Sequence, residues 1–247
     1  MIYLKNNLEI EKLYYAGQVV KETLFMLEEH IAAGITTFDL DKMAEEFILS
    51  KNSKPGFKGL YGYPSTLCTS IDEEVVHGMP SNRRLKEGEI IGIDVGSIYE
   101  GYYGDHAKTF AVGSISEEKK KLLKVTKESL YLGIKAAQIG NNIGDIGSVI
   151  QNYAEQSGYG VVKDLVGHGI GQNLHEEPQV PNFGFKGSGP KIEPGLCIAI
   201  EPMINCGTDE IYTKDDNWTV CTKDNKPSAH FEHSIAIMEN EVRILSE

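Results

Sequence analysis

The chain has 247 residues, long enough to bury a sizeable core. Hydrophobic residues make up 40% and charged residues 24%, ordinary globular usage that excludes a disordered or fibrous chain. A formal net charge of −12 argues against nucleic acid or an anionic membrane surface as a partner.

The opening MIYLKNNLEIEKL lacks the charged-then-apolar layout of a signal peptide. The sequence holds no apolar run of about 18 residues, the length that reads as a membrane span. Cys68, Cys197, Cys206 and Cys221 form no CxxC pair and read as buried free thiols of a reducing compartment. These features predict a cytoplasmic protein.

In chain order, Ile10, Leu13, Gly17, Val20, Leu24, Leu27 and Ile31 recur with helical spacing, which predicts a helix over 8–33 closed by Gly34. A second helix is expected with Thr37 as N-cap and Leu40, Met43, Ala44 and Phe47 facing inward. Residues 54–66 read as a loop rich in Gly, Pro and Tyr, followed by strand-like sequence to His77. Residues 89–113 read as a hairpin turning near Tyr99–Gly101. Ser116 is expected to cap a helix to about Gln138, and another covers 143–157. Strands are expected at 160–166 and 196–204, with a final hairpin over 217–245 turning near Asn240. The two halves share a plan without sharing sequence, so the chain reads as one α/β (α+β) domain over 1–247 with internal pseudo-symmetry.

The chemistry sits in three of these strands. Asp94 and Asp105 lie on the two arms of the hairpin, equidistant from its turn. Strand parity puts both on one face, directly opposite or diagonal, within about 4.5–8 Å. Gly92 and Gly96 share that face, while Ile91, Ile93 and Val95 point the other way. LCIAIEP repeats the pattern: Leu196, Ile198 and Ile200 on one side, Cys197, Ala199 and Glu201 on the other. In AHFEHSIAI, Glu232 stands among Phe231, Ile235 and Ile237, flanked by His230 and His233 as neighbours rather than ligands. The Gly-rich GHGIGQNLHEEP adds His168 and His175. Asp94, Asp105, His168, Glu201 and Glu232 form an oxygen-rich set. It suits a pair of divalent ions bridged by carboxylates rather than a Cys-based structural zinc.

IDVGSIYEGYYGD followed by GHGIG, EP and FEH resembles the metal-binding signature of the methionine aminopeptidases. TSIDEEVVHGMP and GHGIGQNLHEEPQVPNFG are similar to their type I branch, and the likeness spans nearly the whole chain. It implies the pita-bread fold: pseudo-two-fold halves with a central curved antiparallel sheet flanked by helices. It implies removal of the N-terminal methionine from nascent polypeptides with a small second residue, by a metal-bridging hydroxide. Asp94 would chelate one ion, His168 and Glu201 the other, with Asp105 and Glu232 bridging. Glu201 would also move the proton. His175 would contact the scissile peptide group, and His77 would lie near the departing nitrogen. The glycines around His168 would let the backbone pass close to the ions. The methionine side chain would sit among Tyr63, Cys68, Leu174 and Trp218, with Phe57 and Leu60 near the rim; Trp218 also reads as a packed hairpin aromatic. The ions would be Mn, Fe, Co, Zn or Ni. A monovalent cation, Na or K, could take backbone oxygens of Asp72, Glu74 and Ser228. The enzyme would be a monomer meeting its substrates at the ribosome.

Asp72, Leu60 and His230 depart from the usual Asn, Tyr and Gln. His106 stands where a small residue is usual, and an added imidazole beside the site would titrate around neutral pH. Two other readings use the same scaffold: an X-Pro peptidase, which usually carries an N-terminal domain, and a non-catalytic relative, which typically loses ligands. A structural metal site would leave His77 and His175 without a role.

Overall fold

A computed structural model describes the whole chain, residues 1–247. Four helices start where a side chain can satisfy the first free amides. Helix α1, Asn7–Glu28, is capped by Asn6, with Glu9 returning to the Asn6 amide. Helix α2, Thr37–Ser50, is capped by Thr36, one residue before the expected cap. The Thr36 hydroxyl accepts from Asp39 N–H, and the Asp39 carboxylate accepts from Thr36 N–H. The register leaves Met43 and Phe47 half-buried and puts Asp41 and Ile48 inside with Leu40 and Ala44. Ser116 caps α3, Glu117–Ala136, and Asn142 precedes α4, Ile143–Gln156.

Helix α1 ends before Gly34. Residues Gly34 and Ile35 exchange backbone hydrogen bonds with Leu85, which needs extended backbone there. Gly34 adopts φ +100°, beyond the helix rather than at its end.

Each half pairs two helices with antiparallel strands. In the first, Ile90–Tyr99 lies between Tyr102–Ala111 on one side and Leu67–Ile71 and Lys54–Pro55 on the other. Ile91, Ile93 and Val95 pack with Val20, Leu24 and Leu40 from the helices. In the second half the strand order is Val242–Ile244, His233–Ile237, Cys197–Ile200, Gly167–Gly169, Glu176–Val180. Leu196, Ile198 and Ile200 pack with Leu122, Ile146 and Ile150 of α3 and α4. A third cluster, including Tyr63, Cys68, Ile170, Leu174 and Cys197, fills the seam between them.

Several expected strands are shorter. Strand 196–204 breaks at Glu201–Pro202, because proline has no amide to continue the ladder, and resumes at Met203–Asn205. Residues 160–166 pair with it only over Gly160–Val161, after which Lys163 and Asp164 turn to solvent. The final hairpin runs from His233 to Ile244, turning through Met238–Glu241. Val220–Thr222 and Ser228–His230 belong to two other small sheets. The stretch after Asp72 forms a separate strand, Glu74–Val76.

GHG is an interior strand of a sheet, lying between Cys197–Ile200 and Glu176–Val180. A Cβ on Gly167 would lie 2.4 Å from the Ala199 carbonyl oxygen, and one on Gly169 2.2 Å from that of Glu177. The space these glycines leave is taken by neighbouring strands.

Helix α1 crosses the hairpin closely at Gly104, where a Cβ would lie 2.3 Å from the Ala16 carbonyl carbon. Gly104→Ala is expected to destabilise the protein by about 1–3 kcal/mol through overpacking. A urea midpoint equal to wild type would refute this tight crossing.

Candidate active site

The strand register turns the carboxylate pattern into one geometry. Asp94 pairs with Ala107 and Asp105 with Gly96, so the two are diagonal neighbours on one face. Cys68 sits directly across from Asp94 on the other neighbouring strand. The second half is tied to this face by hydrogen bonds across the seam. Glu232 N–H donates to the Ala107 carbonyl at 2.9 Å, the Ser234 hydroxyl to that of Asp105 at 2.9 Å, and the Thr109 hydroxyl to that of His230 at 2.8 Å. Glu232 therefore projects beside Asp105 from the break between two strands. Glu201 follows the strand Cys197–Ile200, where the Asn182 amide holds its carbonyl at 3.0 Å. His168 comes from the neighbouring strand.

One cavity of about 130 Å³ gathers all these residues. Asp94, Asp105, His168, Glu201 and Glu232 line it. So do His77, His175, Tyr63, Cys68, Leu174, Trp218, Phe57 and Leu60. Asp105, His168 and Glu232 are buried, and one ligand-type atom from each falls within 4.8 Å of the others. His77 and His175 are exposed. Trp218 meets Tyr63 edge-on, with ring centroids 5.0 Å apart, on the apolar wall.

The arrangement fits a divalent cation. One oxygen each of Asp94, Asp105 and Glu232 is buried without a hydrogen-bond partner, a costly state unless a cation satisfies it. Burial, then the charges of Asp105 and Glu201, push Asp94 well above the usual carboxylate range. Glu232 is raised likewise by burial, then by Asp105 and Glu201. Glu201 is lowered: burial opposes its charge, but His230 and His168 outweigh it. His168 Nδ1 lies 2.9 Å from the Gly169 carbonyl and donates to it, turning the Nε2 lone pair toward the carboxylates. That Nε2 is 3.6 Å from both Asp105 and Glu201, too far for good hydrogen bonds but suited to atoms sharing a central ion.

The four departures separate. Leu60 lines the cavity. His230 Nε2 lies 3.5 Å from Glu201. Asp72 adopts φ +51°, pairs with Lys119 at 2.6 Å, and its carbonyl accepts from Ser228 N–H at 2.8 Å. His106 points away from the cavity, because successive strand residues face opposite sides. It stacks on His233 at 4.5 Å. Burial, then the neighbouring imidazole, pushes it well below the usual value, so it does not titrate around neutral pH. Tyr61 was missed from sequence. It lines the cavity and lies parallel to His175 with centroids 5.9 Å apart. Its signal was the pair of glycines, Gly59 and Gly62, that free the backbone around it to adopt positive φ.

Burial, then Lys127, also holds His233 down to about 4. An unfolded imidazole titrates near about 6.5, so between these values the unfolded chain binds more protons and stability falls as pH falls. The Tm advantage of wild type over His233→Gln is expected to shrink from about pH 7 to about pH 5. A constant advantage across that range would exclude a buried neutral His233.

Residues 11–239 match metallopeptidase family M24. The methionine aminopeptidase of Clostridium acetobutylicum is 53% identical over 100% of this chain and 99% of its own length. The crystal structure of methionine aminopeptidase from Rickettsia prowazekii superposes with TM-score 0.98 at 38% identity, covering 100% of both chains. Prolidase from Pyrococcus furiosus shares the fold at 22% identity and TM-score 0.78, with 99% of this chain covering 65% of that one. The chain, with its buried carboxylates at the seam of two similar halves, belongs to metallopeptidase family M24 and, within it, to the methionine aminopeptidases.

Proposed function

We propose that this chain removes the N-terminal methionine from polypeptides with a small second residue, using two divalent ions. The observation that carries the reading is one cavity with a carboxylate floor, an apolar wall and two imidazoles at its mouth. The family implies the metal; the unpartnered carboxylate oxygens support its place. Asp94 would hold one ion, His168 and Glu201 the other, with Asp105 and Glu232 between them. When bound, the metal supplies Lewis acidity to the scissile carbonyl and makes water acidic enough to attack at neutral pH.

The remaining work falls to side chains. Tyr63, Cys68, Leu174 and Trp218 take the unbranched methionine thioether, which adapts to an irregular apolar slot. His175 donates to the oxygen on which charge develops. His77 faces the departing amide nitrogen. Glu201 carries the proton from the attacking water toward that nitrogen. The enzyme would act as a monomer on N-termini as they emerge at the ribosome. The ion in the cell would be Mn, Fe, Co, Zn or Ni, with availability deciding among them.

Metal-stripped protein is expected to release methionine from Met-Ala-Ser only after adding Mn(II), Co(II) or Fe(II), and to leave an Ala-Pro peptide intact. Cleavage of Ala-Pro without methionine release would overturn the assignment. His168→Ala and Glu201→Ala should abolish turnover. His175→Ala should lower kcat by about 10²–10³-fold with metal content unchanged. Wild-type turnover by Glu201→Ala at equal metal loading would refute the proposed proton route.

A further inference from the structure

Lys5 lies just ahead of α1, and its side chain is only 1% exposed. Its Nζ donates to a Glu176 carboxylate oxygen at 2.6 Å and to the Tyr3 carbonyl at 2.9 Å. Its backbone is anchored as well, since Lys5 N–H donates to the Gly195 carbonyl at 2.7 Å. Nothing in the reaction described above uses this buried ammonium. Its partner, however, directly follows His175 in the chain.

Glu176 closes the connection 171–175, which brings Leu174 and His175 to the cavity. One carboxylate oxygen takes Lys5, and the other accepts from Asn173 N–H at 3.1 Å. Gly171 leaves the room this requires. A Cβ there would lie 2.4 Å from Glu176 Oε1 and 2.7 Å from Lys5 Cε. The start of the connection is held separately. The Gly171 carbonyl accepts from Tyr103 N–H at 2.9 Å, and the Gln172 amide donates to the Tyr102 hydroxyl oxygen at 3.0 Å. Tyr102 in turn donates to Glu9 at 2.9 Å. Against this, the His175 ring has only the Tyr61 hydroxyl at 3.5 Å, too long to fix an imidazole. Its aim depends on the backbone beneath it.

We propose that Lys5 and Glu176 are positioning residues for the reaction, their buried ion pair holding His175 and Leu174 at their places in the cavity wall. This rests on the roles given to those two residues under the proposed function. A buried ion pair adds little net stability, because taking two charges out of water costs about what their attraction returns. What it supplies here is direction. With both carboxylate oxygens committed, Glu176 has one orientation, and so does the backbone that presents His175. A segment far from the cavity in sequence thus sets the geometry of its mouth.

The test variant is Lys5→Met/Glu176→Gln, which removes both charges at similar volume and leaves no lone buried charge to unfold the chain. The metal-loaded enzyme is expected to keep a Tm and metal content close to wild type. Amide hydrogen exchange should quicken over 171–176 and stay unchanged over Cys197–Ile200. With Met-Ala-Ser as substrate, kcat should fall at least about tenfold, the effect of a reacting group displaced by less than about 1 Å. In a His175→Ala background the same two substitutions should change kcat by less than about twofold, because the loss runs through that imidazole. Unchanged exchange over 171–176 would overturn the proposal. So would equal kcat losses in the two backgrounds, the mark of a general scaffold defect. Where His175→Ala itself loses turnover, wild-type kcat in the paired variant would overturn it too. Wild-type turnover by His175→Ala would refute the role given to that imidazole instead, and the exchange over 171–176 would then decide for or against the clamp by itself.

Discussion

Four carboxylates converge on one small volume at the seam of this protein, and mutual repulsion among them sets the terms for everything nearby. Asp94 and Glu232 are pushed far toward their neutral forms, and Asp105 and Glu232 are almost wholly buried. A buried like-charge cluster is relieved by protons or by a cation. Protons would leave Asp94 and Glu232 poor ligands; a divalent ion removes the repulsion and supplies the missing partner for each orphaned oxygen.

Holding such a cluster needs a frame that does not yield. Every member comes from a strand or a strand break, and the strands are cross-linked over the seam. The bonds from Glu232, Ser234 and Thr109 stitch the first sheet to the second at the residues carrying Asp105 and Glu232. The glycines on either side of His168 serve that frame by letting three strands approach more closely than any side chain permits. The apolar faces of the same strands pack two separate cores. Alternation along a strand thus separates a dry structural side from a polar reactive side at every step.

The same alternation explains His106. It follows Asp105 directly yet belongs to another compartment, with another cavity and other neighbours. Proximity in sequence along a strand is opposition in space. An imidazole beside a metal-type carboxylate is therefore shielded by its own backbone, and its contact with the site runs through the Glu232 carbonyl alone.

Parity, capping chemistry and the spacing of apolar residues are local properties, and the sequence carried them unaided. They placed Asp94 and Asp105 on one face, Ile91, Ile93 and Val95 on the other, and the four helices near their observed ranges. The motif resemblance then named residues that the structure gathers into one cavity. Register was decided only in three dimensions, because opposite and diagonal pairings of Asp94 and Asp105 have identical parity. So were the strand ends at Pro202 and Val161, which depend on which backbone lies alongside to receive a hydrogen bond. Tyr61 over His175 and the stack of His106 on His233 likewise arise from contacts between segments far apart in the chain. A residue's own propensities fix its local geometry, but its partners are set by how the whole chain packs.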